Sequence, residues 1–320
     1  MTKTHIAMPV ALVLLPYHYG RHAPEPLIPM ALGPRAILAS SALLSGLKDL
    51  GVVPAVTEIS GVDDPSASES AGQSGVDVEG LFPGDQMSRM FVQNVALGRE
   101  VRKARGRGSF VLALNGACTA ALGMVAGVSE PSGEVGMIWL DAHDDAMTPN
   151  ESVSGLLEGM PVAMIAGRCW QAYCARMEGF HPIPEDRILT IGLHERYESR
   201  VPRSNLPGSR VSPAEIAALG FEAAIDQALQ SLAQRCSRVY VHFDVDVLDP
   251  SVARVSRYMA EGGLTMDQLV HLFGRIADLF KVEAMDVASF DPSIQPEAAE
   301  TIGQAIVAAV KAFCGPKAAR

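Results

Sequence analysis

The sequence predicts an α/β fold, a mostly parallel sheet with helices on both faces, on three observations. Short aliphatic and β-branched runs alternate almost throughout with stretches of helical period. No internal repeat and no linker-like stretch interrupts the alternation, so residues 1–320 read as one domain. Nearly half of the residues, 48%, are apolar, enough to cover both faces of a buried parallel sheet.

In chain order, residues 8–15 read as the first buried strand. The apolar run 6–15 resembles a signal-peptide core, but it has only Lys3 before it and no small-residue cleavage site after it. A Pro-rich loop over 16–33 leads to Gly33-Pro34, which opens a helix at 34–50. Val52–Ile59 is the second strand, and the Ser-, Gly- and Asp-rich residues 60–80 read as a surface excursion. A helix over 85–106 ends in Arg-Lys-Ala-Arg-Gly-Arg-Gly, read as a solvated C-terminus favoured by the helix dipole. Phe110–Leu114 is a strand, Ala117–Gly127 a helix of small residues, and Glu134–Leu140 the fourth strand. A loop over 146–158 precedes a helix at 160–177, where Trp170 and Tyr173 sit at helical spacing as core or interface residues. Arg187–Leu193 is a strand, followed by helices at 213–220 and 223–234. The strand beginning at Tyr240, a helix at 265–280, the strand Val282–Val287 and a helix at 294–314 complete the chain.

Charge and cysteine usage narrow the function classes. The 36 acidic residues outnumber the 26 basic ones, net −10, which argues against nucleic acid and anionic membrane as partners. Five scattered cysteines form no disulfide framework, and a reducing cytoplasm is the expected setting. No segment reads as long enough to cross a bilayer.

The chemistry concentrates at strand ends. In Tyr240-Val-His-Phe-Asp-Val-Asp-Val-Leu-Asp-Pro-Ser251, Asp244 and Asp246 interrupt an apolar strand, and a spacing of two directs both to one face. Two buried like charges need neutralising, and a divalent cation does so. The alternative, acids on a wet edge strand, is disfavoured by the flanking Val241, Phe243, Val245 and Val247. The strand ending at Leu140 runs into Asp141-Ala-His-Asp-Asp145, whose Asp141, His143 and Asp145 again have spacing two. Carboxylates with an imidazole suit manganese, iron, zinc or nickel better than calcium or magnesium. Five such groups from two strand ends could hold two bridged ions.

These motifs, with Ser154-Gly-Leu-Leu-Glu-Gly-Met-Pro161 and Gly262-Gly-Leu-Thr265, resemble the ureohydrolase superfamily of arginase, agmatinase and formiminoglutamase. The resemblance implies a three-layer α/β/α domain, often trimeric or hexameric. It also implies a binuclear site, manganese first with nickel or zinc as alternatives, whose metal-bound hydroxide attacks a guanidinium or amidine carbon. Asp141, His143, Asp145, Asp244 and Asp246 carry over as ligands. Three positions depart from the family. Cys118 stands where a ligating histidine is expected, as a softer ligand or as a small packed residue. Glu158 replaces the proton-shuttling histidine of arginase. Ser289 stands where a glutamate grips the guanidinium. The expected partner is a small guanidino or amidino substrate, with Ser289 and His194 as contacts and weaker candidates in His18, Tyr19 and His22. The expected assembly is a homo-oligomer, or a hetero-oligomer in which this chain is a silent subunit beside an active paralogue.

Overall fold

The computed structural model describes residues 6, 8–18, 29–59, 86–194 and 205–316. Eight strands form one sheet: β1 (Val10–Leu15), β2 (Ala55–Glu58), β3 (Phe110–Asn115), β4 (Val135–Leu140), β5 (Ile188–Ile191), β6 (Ser209–Val211), β7 (Arg238–Asp244) and β8 (Lys281–Ala288). Their order is β2-β1-β3-β8-β7-β4-β5-β6, every pairing parallel. Parallel pairing requires a crossover between strands, which is why helices separate most of them. One face packs against α1 (Gly33–Leu38), α2 (Ser41–Asp49), α7 (Pro213–Leu219), α8 (Phe221–Ala233), α9 (Met266–Leu279) and α10 (Ala298–Cys314). The other packs against α3 (Gln86–Gly106), α4 (Ala121–Val128), α5 (Pro161–Ile165) and α6 (Gln171–Cys174). β1, β3 and β4 are buried along their whole length, as their unbroken apolar sequences require.

Several elements differ from the sequence reading. The expected helix 34–50 is two helices, because Ser40 leaves the helical conformation and accepts a hydrogen bond from Leu43 N to cap α2. Together with the preceding turn this run, Pro29–Asp49, does have the length and apolarity of a membrane span, contrary to the expectation. The break at Ser40 and packing of both pieces on α10 make it a core element. The expected helix 160–177 is broken by left-handed residues at Gly167 (φ 75°) and Trp170 (φ 52°). Trp170 is consequently exposed, whereas Tyr173 is core, edge-on to Phe91 and donating to the Met87 carbonyl.

β6 was not foreseen, being only three residues long. The expected solvated end of α3 is anchored instead: Arg102 donates to Ala126 O at 2.6 Å, and Arg105 to Gly127 O at 3.1 Å and to Glu283 at 2.7 Å. The excursion at 60–80 lies outside the described residues.

Candidate metal centre

The four central strands β3, β8, β7 and β4 are neighbours and end level. Leu114 lies opposite Val287, Asp244 opposite Ala288 and Leu140 opposite Phe243. The segments that follow them therefore meet above one sheet edge, the place where parallel α/β sheets gather chemistry. Cys118 comes from the turn after β3, Ser289 from the end of β8, Asp244 from the last residue of β7, and Asp141 from the residue after β4. The loop after β7 is pinned by Gly263, where a Cβ would lie 2.6 Å from Asp249 N. Leu264 then bonds to Val247 O, bringing residues 255–262 close to the site.

Two groups of potential ligands share Asp141. Cys118, Asp141, His242 and Asp244 each offer a donor atom within 4.8 Å of the others', and so do Asp141, His143 and Asp246. Cys118 Sγ donates to Asp244 Oδ2 at 2.8 Å and lies 3.0 Å from Ser289 Oγ. Cys118 is thus both buried and in contact with a carboxylate. Asp141 Oδ2 accepts from Trp139 Nε1 at 2.9 Å, and its Oδ1 faces His143 Nδ1 at 3.2 Å. His143 Nδ1 also lies 3.3 Å from Asp246 Oδ2. Asp244 and Asp246 stay close enough for one charge to act on the other, but not as neighbours on one strand face, because β7 ends at Asp244. A 3-10 turn over Val245–Val247 follows, its Asp246 N bonded to Asp244 Oδ1 at 2.8 Å. That turn sends the two acids to different groups. Asp141, His143 and Asp145 do not come from one extended segment, yet the Asp145 carboxylate still acts electrostatically on Asp141, His143 and Asp244. Asp145 is left-handed (φ 44°), and neither group includes it.

An arginase-family model matches residues 25–314. This chain belongs to the arginase family of hydrolases. It is 29% identical to the arginase of Coccidioides posadasii (strain C735) over 218 residues, covering 64% of this chain and 67% of that one. It is 32% identical to Bacillus caldovelox arginase over 174 residues, 54% of this chain and 58% of the relative. The crystal structure of arginase from Bacillus cereus superposes with a TM-score of 0.78 over 97% of this chain and 99% of that one. At 20% identity that likeness speaks for the fold alone.

Electrostatics separates this arginase-family site from an ordinary buried cluster. Burial, then the neighbouring Asp246, raises the pKa of Asp141; burial, then Asp246 and Asp141, raises that of Asp244. Asp145 is raised by burial and by Asp141. Burial and the charges of Asp244, Asp145, Asp141 and Glu158 push the Cys118 thiol well above its usual range. For His143 burial opposes the charge, but the Asp246 carboxylate and hydrogen bonds to Asp141 and Asp246 raise its pKa strongly. Asp246 is lowered in return, the His143 charge outweighing the effect of burial. Without a cation the site therefore holds protons it would otherwise release, and added positive charge relieves it. Carboxylates, imidazole and thiol together fit divalent transition ions.

Glu158 accepts long hydrogen bonds, 3.4 Å each, from Thr119 N and Thr119 Oγ1. His194 is buried behind the 141–143 loop, its N–H bonded to Ala142 O at 3.0 Å, and it belongs to neither ligand group. Ser289 is left-handed (φ 70°), its hydroxyl beside the Cys118 thiol. His18 is half-buried, while Tyr19 and His22 lie outside the described residues. The sequence reading missed His242. A spacing of two from Asp244 within the same strand was the available signal.

Proposed function

We propose that this chain hydrolyses a linear, non-peptide C–N bond of a small amidine- or guanidine-type substrate, using two divalent transition-metal ions. The observation that carries the reading is the pair of ligand groups joined through Asp141 in an arginase-family chain. Cys118, Asp141 and Asp244 would hold one ion with Asp145 as a further carboxylate, and Asp141, His143 and Asp246 the other. Such ions supply Lewis acidity and lower the pKa of water to near neutrality.

The remaining roles fall to side chains. Asp141, common to both groups, would be a ligand to both ions. Glu158, oriented by Thr119 and close enough to Cys118 for its charge to act on the thiol, takes the water's proton and delivers it to the leaving amine. Tyr258, exposed and edge-on to the His143 ring at 6.4 Å, is placed to contact a substrate bound beside His143. His194, whose backbone N–H supports Ala142 O, remains a candidate substrate contact through its imidazole. Ser289 offers a neutral hydroxyl, already engaged with Cys118, where a carboxylate would bind a guanidinium cation far more strongly. The expected substrate is therefore not held by an ion pair at that point, and arginine and agmatine should be poor substrates.

The test is elemental analysis of protein purified without added metal, then turnover of a panel of guanidines, amidines and ureas. About two transition ions per chain and release of an amine from one panel member are expected. Absence of bound transition metal after reconstitution would overturn the reading. Bound metal without turnover, with co-purification of a second arginase-family chain, would assign this chain to a silent subunit instead.

A further inference from the structure

His242 lies wholly inside the sheet, yet one of its ring nitrogens falls within 4.8 Å of donor atoms on Cys118, Asp141 and Asp244. Nδ1 faces the Asp286 carboxylate at 3.0 and 3.1 Å, the geometry in which Nδ1–H donates to the carboxylate and Nε2 of the neutral ring is left as the acceptor. Among the described residues Nε2 has no hydrogen-bond partner, and the side chain is fully buried. A buried nitrogen acceptor without a donor is costly and rare. The ring plane is fixed by stacking on Trp139, centroids 3.6 Å apart and 18° between planes. Asp286 is fixed in turn, accepting from Tyr240 Oη at 2.5 Å and Asn115 Nδ2 at 2.8 Å. A carboxylate that orients a histidine by one ring nitrogen and leaves the other free is the usual support of a metal-binding imidazole.

Resting on the metal-dependent reading above, we propose that His242 completes a sulfur–nitrogen–oxygen site with Cys118, Asp141 and Asp244 that takes zinc. The neighbouring Asp141–His143–Asp246 group holds a harder ion such as manganese, so the pair is mixed. The chemistry of the two donor sets separates them. One thiolate, one imidazole and the carboxylates of Asp141 and Asp244, with Asp145 beside them, make a donor set of the kind zinc occupies, and thiolate selects against manganese. The second group has no sulfur. Two residues thus work together, with Cys118 supplying the soft atom and His242 the nitrogen that Asp286 holds in place.

The test uses full-length apoprotein dialysed against equal zinc and manganese, followed by metal analysis and X-ray absorption at the zinc edge. One zinc per chain is expected, with one sulfur at about 2.3 Å and imidazole nitrogen at about 2.0 Å in its shell. Cys118→Ser should remove the sulfur, and His242→Gln the imidazole, each releasing zinc while manganese stays. Asp286→Asn should weaken zinc binding by about 10- to 100-fold without touching the ion. If His242→Gln does not fold, the wild-type zinc shell and the Asp286→Asn affinity decide between the outcomes. Bound metal whose zinc shell lacks sulfur or imidazole, or zinc held equally by wild type and His242→Gln, would overturn this proposal while leaving the hydrolase reading intact. No bound metal at all would overturn both.

Discussion

The two ends of β7 and β8 both bury carboxylates and treat them in opposite ways. At the N-terminal end Glu283, its side chain 4% exposed, receives Arg105 and Arg238 at 2.7 Å and Lys281 at 2.8 Å. Burial alone would raise its pKa, but these three cations lower it to about 2. At the C-terminal end Asp141 and Asp244 face other acids, and burial and those neighbours raise both. The first end is electrostatically complete and serves the fold, as compensated buried charges do. The second sets the one His143 imidazole against Asp141, Asp145, Asp244 and Asp246, and such deficits of positive charge mark functional sites. Position in the strands, not residue type, separates a compensated structural carboxylate from one placed where a cation could bind.

The contrast is most exposed at Asp141, the residue common to both ligand groups. With free metal at a thousandfold excess over Kd, wild-type stability should rise by about 4 kcal/mol. Asp141→Ala should gain almost none of this and lose turnover to background. Thermal melts with and without metal, beside elemental analysis, check it, and an equal metal-induced shift in both proteins would refute it.

At the opposite end, Glu283→Gln should cost about 3 kcal/mol, the free-energy equivalent of lowering a carboxyl from 4.5 to about 2. The sign follows from the direction of the shift. A depressed carboxylate contributes fully above its unfolded pKa, and its contribution fades as pH falls from about 4.5 to about 2. Wild type should lose that stability over this window, and Glu283→Gln should not. Urea unfolding as a function of pH measures both, and metal content should be the same in the two proteins.

A smaller effect is expected at Glu158, beside the metal groups but outside them. Glu158→Gln should slow turnover by about a hundredfold, the usual worth of a positioned acid, with metal stoichiometry unchanged. Steady-state kinetics on the best substrate of the panel tests this, and loss of metal in the variant would make Glu158 a ligand. Smallest is the effect at Ser289, whose left-handed backbone is strained for a side chain. Ser289→Gly should stabilise the metal-free protein by about 1 kcal/mol, read from the denaturant midpoint. A decrease would show that the hydroxyl's contact with Cys118 outweighs the strain.

The sequence alone determined the alternation of apolar strands and helices, hence a parallel sheet, because periodicity and β-branching are local properties. It also marked Asp141, His143 and Asp244 as chemistry at strand ends, since acids interrupting apolar runs need compensation whatever their partners. Tertiary structure decided what depends on neighbours from other strands. His242 has the look of a core residue until β8 sets Asp286 against one ring nitrogen and β4 sets Trp139 under its face. Arg105 has the look of a solvated helix end until Glu283 is placed beside it. Asp246 leaves the face of Asp244 because the chain turns at the end of β7, a choice set by the Asp244 cap. Spacing along a chain predicts which way a side chain points while the backbone stays regular. What it meets there is set by strand order and register, which bring β3, β8, β7 and β4 together from distant parts of the sequence.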